Sequence, residues 1–149
     1  MNRRAGSGTL EDFQVPVKVK LSALWTAVMF CYVYGDYFGL YVPGQLQGML
    51  AGKMGPLGPT TQGVLLGTSI MLAIPGVMVF LSLALKPAVS RWANLAMGTL
   101  YTLIMLATMP GAWTFYIFFG VVEVMLTTLV VWHAWRWPRQ VPKFSPSGD

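Results

Sequence analysis

Apolar residues dominate four long stretches of the chain, about 21–41, 62–85, 92–109 and 112–135, each near the roughly 20 residues a helix needs to cross a hydrocarbon core. Within each stretch the polar, aromatic and small positions recur at spacings of three and four, the mark of a single helix face. On the first they are Ser22, Trp25, Met29, Tyr32, Asp36 and Gly39; on the second, Thr61, Thr68, Pro75 and Ser82. The third carries Asn94, Gly98, Tyr101, Met105 and Thr108, and the fourth Tyr116, Gly120, Glu123 and Thr127. The pattern predicts an all-α fold: an integral membrane antiparallel four-helix bundle with one polar stripe per helix.

The connections refine that picture. Between the first two stretches, Leu46, Met49, Leu50 and Met54 keep a helical spacing in a loop rich in Gly and Pro, which predicts a short interfacial helix over about 45–53 and a turn at Gly55-Pro56. That loop is either a cap over the outer mouth of the bundle or an ordinary surface connection. Pro75 is expected to kink the second helix, Ser90 to cap the third, and Pro110-Gly111 to turn the chain so that the last two helices are antiparallel neighbours. Residues 1–20, with a capping-box pattern at Thr9 to Asp12, form a cytoplasmic N-terminal segment, 21–135 the transmembrane domain, and 136–149 a basic, Pro-rich cytoplasmic tail.

Composition agrees with a membrane solvent: 55% of the 149 residues are hydrophobic and 10% charged, against about 25% charged in soluble domains. The net charge of +5 is distributed so as to argue against nucleic acid as a partner. Arg3, Arg4, Lys18, Lys20, Lys86, Arg91, Arg136, Arg139 and Lys143 fall on one side and only Lys53 on the other. By the positive-inside rule both termini are cytoplasmic, and membrane lipids are the expected partners of the basic residues. Glu11 and Asp12 argue against a transit peptide, and the first helix reads as a retained anchor.

Two carboxylates stand out because an ionisable group at membrane depth is a candidate functional site. Counting about 1.5 Å per residue from the outer helix ends, Asp36 lies roughly 7 Å and Glu123 roughly 16 Å below the outer boundary. A charge at mid-membrane costs around 2.5–3.5 kcal/mol, and one interhelical hydrogen bond returns only about 0.6. Glu123 is therefore expected to carry its proton or to face a hydrated cavity. Asp36, Glu123, Tyr32, Tyr101, Tyr116 and Thr68 are the candidate lining of an outer-half ligand pocket, with Lys53 reaching it from the loop; a helix-packing role for the carboxylates is the other reading. Cys31 is the single cysteine, so no intrachain disulfide or Cys-x-x-Cys pair exists, which fits poorly with four-helix thiol-oxidising quinone enzymes. His133 has no Cys or second His to complete a metal site, and no nucleophile or phosphate-cradling motif can be assembled. No cofactor or metal is called for.

The run Lys18-Val19-Lys20-Leu21-Ser22-Ala23-Leu24-Trp25, continuing into Tyr34-Gly35-Asp36-Tyr37-Phe38-Gly39-Leu40-Tyr41, resembles an uncharacterised family of small bacterial four-helix membrane proteins, a domain of unknown function, over about 18–137. The resemblance implies a bacterial inner-membrane location and no activity. More distantly the layout is similar to the DoxX-type four-helix proteins linked to quinone or redox partners; helix number matches but no motif does, so no functional residue is carried over. The leading expectation is a non-enzymatic protein that binds or transports a small amphipathic or lipid-like molecule. A structural or accessory subunit of a redox or transport complex is the alternative, and a membrane enzyme acting on a lipid or quinone comes third. A homodimer or a partner membrane protein is the expected assembly.

Overall fold

The computed structural model describes residues 13–138, which are helical with short connections. Helix α1 spans Val17–Gly39, α2 Gln45–Leu50, α3 Gln62–Ala84, α4 Pro87–Thr108 and α5 Thr114–Trp135, with a 3-10 turn at Gly55–Leu57. Around the bundle the order is α3, α1, α5, α4: α1 packs along both α3 and α5, α5 along both α1 and α4, and the α3–α4 edge is the sparse one. The capping-box residues Thr9 to Asp12 and the tail beyond residue 138 lie outside the described residues.

Several helix limits differ from expectation, each for a local reason. Helix α1 begins at Val17, four residues earlier than the apolar pattern suggests, because extended Pro16 precedes it and Lys18 has a use inside the helix. The Lys18 ammonium donates to the backbone carbonyls of Leu83 and Leu85, two acceptors left open at the C-terminus of α3. Helix α2 stops at Leu50, short of the expected 53. Gly52 takes a left-handed φ of 69°, and the bonds Gly52 N–H to Met49 O and Lys53 N–H to Gly48 O form a Schellman stop. Ser90 does not cap α4: Pro87 starts that helix, and Ser90 is buried inside it, donating to the Ser82 carbonyl at 3.1 Å. Thr61 does cap α3, accepting from the Val64 N–H at 3.2 Å.

The distribution of polarity is inverted relative to a water-soluble bundle. Large apolar side chains stand outward on every long helix, with Phe80 67% and Phe118 64% exposed. The interior holds Ser82, Ser90, Asn94, Glu123 and Thr127. Such an exterior suits hydrocarbon better than water. Among the described residues, α1, α3 and α5 are long and apolar enough to cross a membrane. Helix α4 has the length, but Ser90, Arg91 and Asn94 in its first turns leave it out of that set.

Ser90 and Asn94 are what fasten α4 to its neighbours at the end where the α2–α3 loop is absent. Asn94 Oδ1 accepts from Trp25 Nε1 of α1 at 2.7 Å and from the Ser82 hydroxyl of α3 at 3.1 Å, and Nδ2 donates to Ser90 O at 2.8 Å. All four side chains are fully buried, so the network is closed and saturated.

Further along the same edge, Pro75 lies inside α3 and is buried. Having no N–H, it leaves the carbonyl of Met71, four residues back, without its helical donor. The hydroxyl of Tyr101 on α4 donates to that carbonyl. Replacing Tyr101 by Phe orphans it again and is expected to cost about 1–2 kcal/mol of stability. In a Pro75→Ala background the new alanine N–H can serve Met71, so the same substitution should cost at most half as much. Thermal unfolding of the four proteins of this cycle in mild detergent tests the assignment; an equal cost in both backgrounds refutes it.

Candidate functional site

At the end of the bundle near α2, the chain forms an open cavity of about 800 Å³. Its walls come from the C-terminal end of α1 (Asp36, Tyr37), the loop (Met49, Met54, Pro56) and the α4–α5 corner (Thr108, Trp113, Phe115, Tyr116). The loop holds its shape through its own backbone. Lys53 and Pro59 form a bridge, Met54 N–H bonds Gly58 O at 2.7 Å, and Thr60 N–H bonds Gly52 O at 2.8 Å. The left-handed φ of 81° at Gly58 is what lets the strand reverse within so few residues. Positive φ at Gly111 (77°) turns the α4–α5 corner in the same way and sets Trp113, Phe115 and Tyr116 against the cavity.

Asp36 is exposed and, among the described residues, is the one charged residue in this lining. Tyr116 is half-buried, and its hydroxyl donates to the Thr108 hydroxyl at 3.1 Å. The structure thus brings Asp36 and Tyr116 to one cavity, as neighbours of a loop wall.

Glu123, Tyr32 and Tyr101 form a second group, deeper in the bundle. Glu123 is 1% exposed, and its Oε1 has no hydrogen-bond partner among the described residues. The Tyr32 hydroxyl lies beside its carboxyl, one turn of α1 inward of Asp36. The ring of Tyr32 meets that of Tyr101 edge to face at 6.4 Å, and Tyr101 meets Trp25 at 6.0 Å. One turn inward, the Thr127 hydroxyl donates to the Glu123 backbone carbonyl at 2.9 Å and accepts from the Thr102 hydroxyl at 2.7 Å.

Thr68 and Lys53 join neither group. The Thr68 hydroxyl bonds the carbonyls of Val64 and Leu65 in its own helix, each at 3.0 Å. Lys53 is exposed in its bridge with Pro59 and does not line the cavity. Conversely, Trp113 and Phe115 line the cavity without having stood out in the sequence, whereas Met49, Met54 and Thr108 carried a signal there only in their helical spacing. Among the described residues no three of His, Cys, Asp and Glu come together as a metal site.

Among the described residues, whose regular elements are all helical, an apolar exterior, polar groups within the core and three helices long and apolar enough to span a bilayer suggest a protein of the membrane type. The chain belongs to a family of unknown function, DUF6326, whose model matches residues 11–142. Neither a curated protein nor a solved structure matches it.

Proposed function

We propose that the chain is an antiparallel four-helix bundle of the bacterial inner membrane, with both termini cytoplasmic, whose outward cavity binds a small amphipathic molecule bearing a positive charge. The nine-to-one distribution of basic residues supports the orientation. The observation that carries the ligand class is the cavity lining: a single carboxylate, Asp36, among Tyr37, Trp113, Phe115 and Tyr116. About 800 Å³ suits a small organic molecule. Aromatic faces attract a cation, methionines adapt to an irregular apolar body, and the carboxylate supplies the counter-charge.

Tetraphenylphosphonium, an amphipathic cation, provides the test by equilibrium dialysis against the protein in neutral detergent. Asp36→Asn is expected to weaken binding about tenfold, which corresponds to about 1.4 kcal/mol. Equal affinity of the two proteins would refute the assignment of Asp36 as counter-charge.

A further inference from the structure

The deeper carboxyl is not explained by a packing role. Buried polar atoms are normally hydrogen-bonded, whereas Glu123 Oε1 is buried and has no partner among the described residues. Nor does a cation among the described residues balance it. From α1 the groups nearest to it are Tyr32 and Cys31, with Asp36 one turn farther out and Lys18 and Lys20 at the opposite end of that helix. From α4 come Tyr101 and Thr102, whose hydroxyls are engaged by Met71 and Thr127, and Arg91 lies at that helix's far end. Helix α3 contains no ionisable residue. On α5 itself the neighbours at helical spacing are Tyr116, Gly120 and Thr127. Burial without a counter-ion disfavours a standing charge, so the resting group holds a proton.

One side of this carboxyl leads somewhere. The Tyr32 hydroxyl stands beside it, and Tyr32 lies one turn of α1 inward of Asp36, which lines the cavity together with Tyr116 and Thr108. Hydroxyl groups both donate and accept, so this succession suits passage of a proton between a buried acid and a wet cavity.

We infer that Glu123 is the proton-exchange site of the outer cavity, releasing its proton by way of Tyr32 when a cation settles beside Asp36 and regaining it when the cation leaves. This rests on the cation-binding reading. The step balances as an exchange: the carboxyl O–H bond breaks, its electron pair stays on the carboxylate, the proton passes to water in the outer cavity, and nothing is oxidised or reduced. A positive charge brought into a poorly screened cavity stabilises the carboxylate, and the coupling is reciprocal. Because binding expels a proton, raising the pH favours binding. Affinity should climb by at most about tenfold per pH unit while the free carboxyl still holds its proton, and then level off.

Two measurements on the full chain in neutral detergent test this. In weakly buffered solution with a pH-indicator dye, tetraphenylphosphonium should release up to one proton per cation bound by the wild type. Glu123→Gln should release none and show an affinity that no longer changes with pH. Tyr32→Phe should release the same number more slowly. Without ligand, the infrared carbonyl band of a protonated carboxyl should shift in heavy water, fade as the pH is raised, and be missing from Glu123→Gln. Equal thermal stability of wild type and Glu123→Gln establishes that the comparison is between folded proteins. Cation binding with no proton release, or a Glu123 band that neither exchanges nor titrates, would overturn the inference. Should the wild type fail to bind the cation, the cation reading falls, and the infrared arm still decides whether Glu123 exchanges its proton.

Discussion

Replacing Asn94 by Leu should lower the stability of the chain by about 2–4 kcal/mol, because a single side chain closes the buried network shared by α1, α3 and α4. Four hydrogen bonds converge on its amide, from Trp25 and Ser82 and to the carbonyl and hydroxyl of Ser90. At the average of about 0.6 kcal/mol measured for interhelical bonds in a bilayer, loss of the two that cross helices amounts to roughly 1 kcal/mol. The rest of the range follows from Trp25 Nε1, which is buried and would keep no acceptor, at a penalty of about 1–3 kcal/mol. Ser82→Ala should cost less, since Asn94 Oδ1 retains the Trp25 donor. Thermal unfolding in mild detergent ranks the two. A melting temperature for Asn94→Leu at or above that of Ser82→Ala would show that the network does not hold this end of the bundle.

The second large effect is expected at Gly98, where α4 approaches α5 most closely. A Cβ there would stand 2.9 Å from Val131 Cγ2, 3.2 Å from Val130 Cγ1 and 3.4 Å from the Thr127 carbonyl. Those neighbours are β-branched side chains and backbone, which yield little. Gly98→Leu should therefore force the helices apart, break the Thr102–Thr127 bond and cost about 3 kcal/mol or more, the upper end of overpacking effects. Gly120 is an internal control. Its added Cβ would come as close as 3.0 Å, but to the sulfur of Met105 and the flexible end of Met109. Thioether side chains can move, and alanine gains about 1 kcal/mol in helix propensity over glycine. Gly120→Ala is thus expected to be near neutral and Gly98→Ala destabilising by about 1–2 kcal/mol. Identical melting of the two alanine variants would refute the distinction between rigid and yielding neighbours.

The features legible in the sequence are those that helix periodicity encodes. Asn94, Gly98, Tyr101 and Met105 are all buried, as are Gly120, Glu123 and Thr127, and Pro75 with Ser82. Spacing within one helix determines which residues share a face, and burial follows the face. What spacing does not encode is the choice of partner. Thr68 and Thr127 have the same chemistry and similar positions on their stripes. Thr68 bonds its own backbone alone, whereas Thr127 also bonds across to Thr102. The Tyr101 hydroxyl could have been a pocket group; the carbonyl that Pro75 exposes on another helix claims it. The two levels of Asp36 and Glu123 followed from counting residues, but the cavity wall built from Met49, Met54, Trp113 and Phe115 depends on how the loop and the Gly111 corner fold back.

The partners of α4 have a bearing on the order of synthesis. Its Asn94 and Tyr101 find Trp25 on α1 and Ser82 and the Met71 carbonyl on α3, all of which precede it in the chain. As a chain emerging from its N-terminus would enter a bilayer, the helix least suited to hydrocarbon arrives after the two that can receive it, and α5 follows to cover the face left open. A rearranged chain with α4 placed first would present Asn94 and Ser90 to lipid before any receptor existed, so the sequence of the helices is itself part of what makes α4 insertable.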